Sequence, residues 1–219
     1  MTPSMTSDDI AALFTHSPDS FRFARWGRPI APVVFGVTDD TLAVVKGALE
    51  AAMVLSGHQM AETDPELGSN LMIFFFRDWH ELPEVEGMDQ LVPDLGPLVM
   101  RLEAAQANQY RFFRFDAAGA IKACFVFLRM DSALADLPAQ VLALGQVVQT
   151  MLLWSDRAFA DQSPLTVIDG QAVLRPEIGA LVRAAYDPVL PAASTDPSHA
   201  LRLAARLAAA EQNARRQGA

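Results

Sequence analysis

Leu137 to Trp154, LPAQVLALGQVVQTMLLW, is the stretch that decides the fold. It contains no Asp, Glu, Lys, Arg or His. A helix that is apolar on every side has to be buried, either in a protein core or in a membrane. The run approaches the length of a span, but Pro138, Gln140, Gly145, Gln146 and Gln149 interrupt it, and Asp136 and Asp156 stand at its ends. The reading is a central core helix and no membrane span. Gln146 and Gln149 share one face of it. Buried amides need partners, and the backbone of the adjacent strand is the expected one.

Working outward, Ile121–Met130 (IKACFVFLRM) reads as the central strand, and Asp131-Ser132 leads from it into the helix. Tyr110–Phe115 (YRFFRF) reads as its hairpin partner, with one aromatic and one basic face, joined to it through the turn Asp116-Ala117-Ala118-Gly119. Leu71–Phe76 (LMIFFF) is a further buried strand. Ile30–Val37 (IAPVVFGV) is a strand at an edge, because Pro32 cannot donate to a ladder. Thr38-Asp39-Asp40 caps a helix whose apolar positions are Leu42, Val45, Leu49, Ala52 and Met53, and Gly57 ends it. Residues 78–98 (DWHELPEVEGMDQLVPDLGPL) are rich in Pro, Gly and acids and read as an excursion without regular structure.

Ser7-Asp8-Asp9 opens a short N-terminal helix, with acid at its positive end. After Trp154 come a turn-rich loop, a short helix near 178–185, and Asp196-Pro197 opening a terminal Ala/Arg helix. The expected fold is α+β. A small mixed sheet (30–37, 71–76, 110–115, 121–130) packs against two main helices, 40–56 and 134–154, with a C-terminal helical cover. The expected organisation is an N-terminal helix or arm over 1–20, a single α+β domain over 21–190 and a C-terminal helix over 191–219.

The 219 residues are 51% apolar, enough for one sizeable core. A net charge of -9 argues against a nucleic-acid partner and against docking on anionic membranes. The sign reverses locally at the end, where Arg202, Arg206, Arg215 and Arg216 face only Glu211. The opening MTPSMTSDDIAALF lacks the basic-then-apolar order of a secretion signal, so a cytoplasmic location is expected.

The chemistry-bearing residues are sparse. Cys124 is the one cysteine, set in an apolar strand, and reads as a small buried hydrophobe. None of His16, His58, His80 and His199 forms a His-x-x-x-His pair, and Gly57 separates His58 and Glu62 from the helix that would align them. Asp78, His80, Glu81 and Glu84 cluster in the excursion as a solvated loop. There is no Gly-x-Ser-x-Gly elbow, Gly-x-Gly-x-x-Gly turn or phosphate loop. No metal, cofactor or catalytic residue is expected. Trp26 and Trp79 fall in loops and, with Leu82 and the terminal Arg202 and Arg206, are the expected interface residues.

Several segments taken in order carry a resemblance. They are Arg25-Trp26-Gly27-Arg28-Pro29 before a strand, Asn70 opening LMIFFF, Leu165-Thr166 followed by Asp169, and Tyr186-Asp187-Pro188. Over residues 22–208 the chain resembles a proteobacterial lipoprotein family, the domain of unknown function 2927. The resemblance implies a zincin-like helix with a Glu-Glu-x-x-Gln signature, often after a His, leading into Leu-Gly-Leu-x-Asn-Asp. Here that helix reads Gly145-Gln146-Val147-Val148-Gln149, followed by Met151-Leu152-Leu153-Trp154-Ser155-Asp156. Gln149 and Asp156 fit. Both carboxylates, the family's preceding Cys and its secretion signal are missing. An amide is no general base near neutral pH and a poor zinc ligand.

The function expected from these departures is a non-catalytic cytoplasmic interaction protein, an accessory subunit or assembly factor with a protein partner, on a degenerate protease-like scaffold. Two alternatives stand beside it. One is a metal-dependent or atypical hydrolase that recruits His58, His80 or the acids of 78–94. The other is a small-ligand binding module with a pocket lined by Phe74, Phe76, Phe112 and Trp79.

Overall fold

The computed structural model describes residues 5–217. The first four residues of the expected arm and the last two of the terminal helix lie outside the described residues. In chain order the elements are α1 (Ser7–Phe14), β1 (Thr15–His16), β2 (Ser20–Phe21), β3 (Phe23–Ala24), β4 (Pro32–Phe35), α2 (Asp39–Ser56) and β5 (Leu71–Phe76). A 3-10 helix (Trp79–Glu84), α3 (Met88–Leu91), α4 (Leu95–Ala104), β6 (Gln109–Phe115), β7 (Ile121–Arg129), α5 (Ser132–Ala135) and α6 (Ala139–Met151) follow. The chain closes with β8 (Leu165–Ile168), β9 (Gln171–Leu174), α7 (Pro176–Ala185), β10 (Ala193–Ser194) and α8 (Ser198–Gln217).

The fold is α+β. The main sheet has the order β4-β5-β7-β6. β4, β5 and β7 run parallel, and β6 is antiparallel to β7. The turn at 116–119 closes the β6–β7 hairpin, with Gly119 at φ 83°, a conformation that suits glycine. Alternation along the strands divides the core in two. Leu71, Ile73, Cys124, Val126 and Leu128 face α2, α6, α7 and α8. Phe74, Phe76, Phe125 and Phe127 face the other way, into a cluster that Trp79, Leu82, Met88, Val92, Leu98, Val99 and Leu102 complete.

That second layer corrects the reading of 78–98 as an unstructured excursion. The segment is a 3-10 helix and two short α-helices packed on the aromatic face of the sheet. Pro97 sits where a proline is tolerated, in the first turn of α4, whose N–H groups have no intrahelical partner.

α2 follows its signals closely. Thr38 caps it by accepting from the Thr41 N–H at 3.4 Å, and Gly57 ends it in the left-handed region at φ 69°. Of its apolar positions Val45, Leu49, Ala52 and Met53 are buried, whereas Leu42 stays 41% exposed. The helix expected over 134–154 is shorter. Pro138 divides it into α5 and α6, and the chain turns extended after Met151, where the Leu153 N–H donates to the Ala24 carbonyl at 2.9 Å.

The buried end of α6 explains Trp26, Trp154 and Tyr186. The last carbonyls of a helix have no partner within it. Here Trp154 Nε1 donates to the Val148 carbonyl at 3.0 Å, Trp26 Nε1 to that of Thr150 at 2.8 Å, and the Tyr186 hydroxyl to that of Met151 at 2.8 Å. Asn70 is a second fastener. It accepts from the Ala31 N–H at 2.8 Å and donates to the Pro29 carbonyl at 2.9 Å and to Asp64 at 3.0 Å. The expected N-terminal arm belongs to the core: Ile10 and Phe14 are fully buried, and Phe14 stacks on Trp154.

Candidate functional site

The site is built where the edge strand β6 meets α6. Alternation puts Arg111, Phe113 and Phe115 of β6 on the α6 side, and Tyr110 and Phe112 on the aromatic side with Arg114. Each face of the strand therefore carries aromatic and basic residues, which replaces the expected division into one aromatic and one basic face.

Arg111 reaches the face of α6 that carries Gln146 and Gln149, two of the three positions, with Gly145, expected from sequence to mark a degenerate site. Its Nη2 donates to Gln146 Oε1 at 2.6 Å and its Nη1 to Gln149 Oε1 at 3.3 Å. Gln146 Nε2 then donates to Gln109 Oε1 at 3.1 Å, and Gln149 Nε2 to the Gly145 carbonyl at 3.1 Å. The expected partner, the backbone of the adjacent strand, is therefore replaced by the side chains of Arg111 and Gln109 on β6 and by a carbonyl of α6 itself. Gly145, the third position, contributes only that carbonyl.

Two features mark the cluster electrostatically. Among the described residues no carboxylate oxygen lies within ion-pair distance of the Arg111 guanidinium, and its Nε is buried with no hydrogen-bond partner. Burial works against its charge and lowers its pKa, opposed only by the neighbouring Cys124. Cys124 supplies no counter-charge: burial pushes its thiol up to about 12, so it stays neutral. Charges removed from water are ordinarily paired; this half-buried one is held by two neutral amides.

The cluster opens into a cavity of about 560 Å³. Gln109, Arg111 and Gln149 form its polar wall, and Phe113, Leu153, Trp154 and Phe159 its apolar wall. His16 and Asp156 also line it. His16 Nε2 is a second buried nitrogen without a partner. Asp156 is exposed and engaged: its carboxylate accepts from the Ser17 N–H at 3.2 Å and from the Ser17 hydroxyl at 2.9 Å, which holds its pKa below the usual carboxylate range. The arrangement offers a cation and apolar surface, suited to binding.

The interface residues expected from sequence are placed elsewhere. Trp26 and Leu82 are 0% exposed and Trp79 is 1% exposed, so none offers a surface to a partner. Both indoles sit in irregular or 3-10 segments and yet are core, because each N–H finds a backbone carbonyl: Trp26 that of Thr150, Trp79 that of Ala107 at 2.8 Å. Arg202 is exposed on α8, and Arg206 is tied to Asp187 at 3.3 Å. The pocket expected among Phe74, Phe76, Phe112 and Trp79 is filled core; only Phe74 and Phe76 reach a surface cavity, beside Phe35 and Met88. An apolar groove of about 520 Å³ lies between β4 and α2, lined by Val34, Leu42, Leu49 and Met60.

The titratable clusters are accounted for. Asp78, His80 and Glu103 come together at the surface, with His80 Nδ1 at 2.7 Å from Asp78 and 3.0 Å from Glu103. Asp78 caps the 3-10 helix through the His80 N–H, and Glu81 and Glu84 stand outside this group. His58 Nε2 contacts the Arg28 carbonyl at 2.9 Å, and burial lowers its pKa. Sequence reasoning missed Arg111, Gln109 and His16. The available signal is an Arg at an inward position of a strand opposite a helix whose long polar side chains are all amides.

No protein-family model, curated protein or solved structure matches the chain.

Proposed function

We propose that this chain is a non-catalytic binding module of the cytoplasm, and that the cleft at Arg111 is where it holds a small ligand. The observation that carries the reading is the unpaired guanidinium in the wall of an open, partly apolar cavity. A lone cation at half-buried depth is costly unless something external completes it, and a perturbed charged group in a cleft is the usual mark of a functional site. The resemblance to the domain of unknown function 2927 supports the non-catalytic part. At the two positions where that family carries carboxylates stand Gly145 and Gln146, and Gln146 is committed to Arg111.

The test is a thermal-shift screen of metabolites on the wild-type protein and on Ala160→Trp, which fills the mouth of the cleft from an exposed position. Hits that raise the melting temperature of the wild type but not of Ala160→Trp are expected. A broad screen without such hits would overturn the reading, and a stoichiometric zinc in the purified protein would overturn its non-catalytic part.

A second reading, a cytoplasmic accessory subunit or assembly factor with a protein partner, is favoured by the apolar groove between β4 and α2, where Leu42 is 41% exposed. It predicts a stoichiometric partner on the wild-type protein that Leu42→Asp no longer retains.

A further inference from the structure

We propose that the occupant of the Arg111 cleft is a small organic monocarboxylate with an aromatic or branched aliphatic body; this rests on the ligand-binding reading above and names its ligand class. The polar end of the cleft sets the charge. One guanidinium is available, its Nε unpartnered and its Nη1 held only at 3.3 Å by Gln149, while Nη2 is held at 2.6 Å by Gln146. A carboxylate accepts two N–H bonds from such a fork. In the cleft it displaces the weak Gln149 contact at Nη1 and pairs with the guanidinium charge there, leaving the short Gln146 bond at Nη2 to fix the plane of the group.

The same count argues against a more highly charged ligand. The cleft supplies a single cation, and Asp156 stands exposed beside its opening. A phosphate dianion would face one counter-charge and a repelling carboxylate. His16, whose Nε2 is also buried without a partner, lines the same cleft.

The apolar end sets the body. Phe113, Leu153, Trp154 and Phe159 line the cavity, and Trp154 is held between Phe14 at 5.4 Å and Phe159 at 5.0 Å. The aromatic wall is therefore anchored before any ligand arrives. About 560 Å³ is within the usual range for a small-molecule site of about 300–1,000 Å³.

The experiment is isothermal titration calorimetry at low salt with matched pairs: phenylacetate against phenylacetamide and 4-methylpentanoate against its amide, with inorganic phosphate as a separate arm. Each acid is expected to bind at least tenfold more tightly than its amide. Two variants localise the effect. Arg111→Met removes the charge, and Gln149→Glu places an internal carboxylate on it; both are expected to lose at least tenfold in affinity for the acids. Because Arg111→Met also strands two amides, Gln149→Glu is the deciding variant, and circular dichroism should show it folded with a melting temperature no lower than the wild type. Amides that bind as tightly as acids would overturn the carboxylate inference while leaving the ligand-binding reading intact. A folded Gln149→Glu with unchanged affinity for the acids would overturn it too, as would phosphate alone binding or no member of the panel binding. The ligand-binding reading itself falls only if the broader screen on wild type and Ala160→Trp is also empty.

Discussion

The two faces of the central sheet are buried in opposite ways. One is covered by long helices, α2, α6, α7 and α8, with aliphatic side chains from β5 and β7 beneath them. The other is covered by a 3-10 helix, α3 and α4, which together occupy only residues 79–104. It compensates for thin cover with aromatic mass: Phe74, Phe76, Phe112, Phe125, Phe127 and Tyr110 stack along it. Large rings bury much area per residue, so few covering residues suffice. The difference teaches where function can sit. The aromatic face opens where β5 meets residues 81–91 into a cavity of about 630 Å³ whose charged groups are the acids Glu81, Glu84 and Glu86, whereas the helical face ends at Arg111 in a cleft with a cation in its wall.

The hardest way to break the helical face is Val148→Asp. Val148 is 2% exposed, and an unpaired carboxylate there costs several kcal/mol, of the same order as the roughly 5–15 kcal/mol that hold a domain together. Loss of the cooperative melting transition in circular dichroism is the expected result. A soluble Val148→Asp protein with native spectra would mean that α6 is not the centre of the fold.

The paired substitutions Trp26→Ala and Trp79→Ala sharpen the comparison. Each removes a buried indole and one bond to a backbone carbonyl, and each should cost about 3–5 kcal/mol. The places affected should differ. Trp26→Ala uncaps the Thr150 carbonyl and should speed hydrogen exchange in α6. Trp79→Ala should speed exchange over 79–104 and leave α6 protected. Equal loss across both layers would show that the short helices and the long ones open as one unit.

How much of this was legible in the sequence follows the same division. The central helix could be read because it is free of charge throughout, and α2 because Thr38, its apolar spacing and Gly57 agree. The covering layer over 79–104 could not. Its buried residues, from Trp79 to Leu102, are interrupted by Pro83, Gly87, Pro93, Gly96 and Pro97, and helices of one to three turns have too few positions for a period to show. Segment type does not give exposure: Trp26 and Trp79 fall in irregular or 3-10 segments and yet are core. The candidate site was half legible: Gln146 and Gln149 were recognised as needing partners, but Arg111 became their partner only once β6 and α6 were brought together.

The two layers also respond oppositely to acid. His199, at the start of α8, lies against Phe23 at 4.3 Å with both ring nitrogens buried and unpartnered. Burial lowers its pKa to about 4. The unfolded chain binds this proton near pH 6.5 and the folded chain does not, so stability falls as pH drops from about 6.5 to about 4, by roughly 3 kcal/mol in total. His199→Phe should flatten urea midpoints across that window. His80, exposed on the other layer, is held by Asp78 and Glu103 and has a raised pKa. Its contribution is present below pH 6.5 and lost as pH rises through the raised value, so His80→Gln should remove a small effect of the opposite sign. A His199→Phe protein with the wild-type pH profile would show that the ring is protonated in the fold.

The smallest expected effect is no effect, and it tests whether the open cleft loosens the core behind it. Cys124 lies on the helical face of β7, opposite Phe113 and close enough to Arg111 for the guanidinium to favour its thiolate. A cation beside a cysteine is the usual recipe for a reactive thiol. Here burial outweighs it: the side chain is fully buried and its pKa lies at about 12. Iodoacetamide at pH 8 should leave the native protein unmodified over hours, with labelling appearing only as urea unfolds it, at the same midpoint as the loss of circular dichroism. Labelling well before that midpoint would mean that β6 parts from α6 locally at Arg111, and that the helical face opens at its polar end while the aromatic face stays closed.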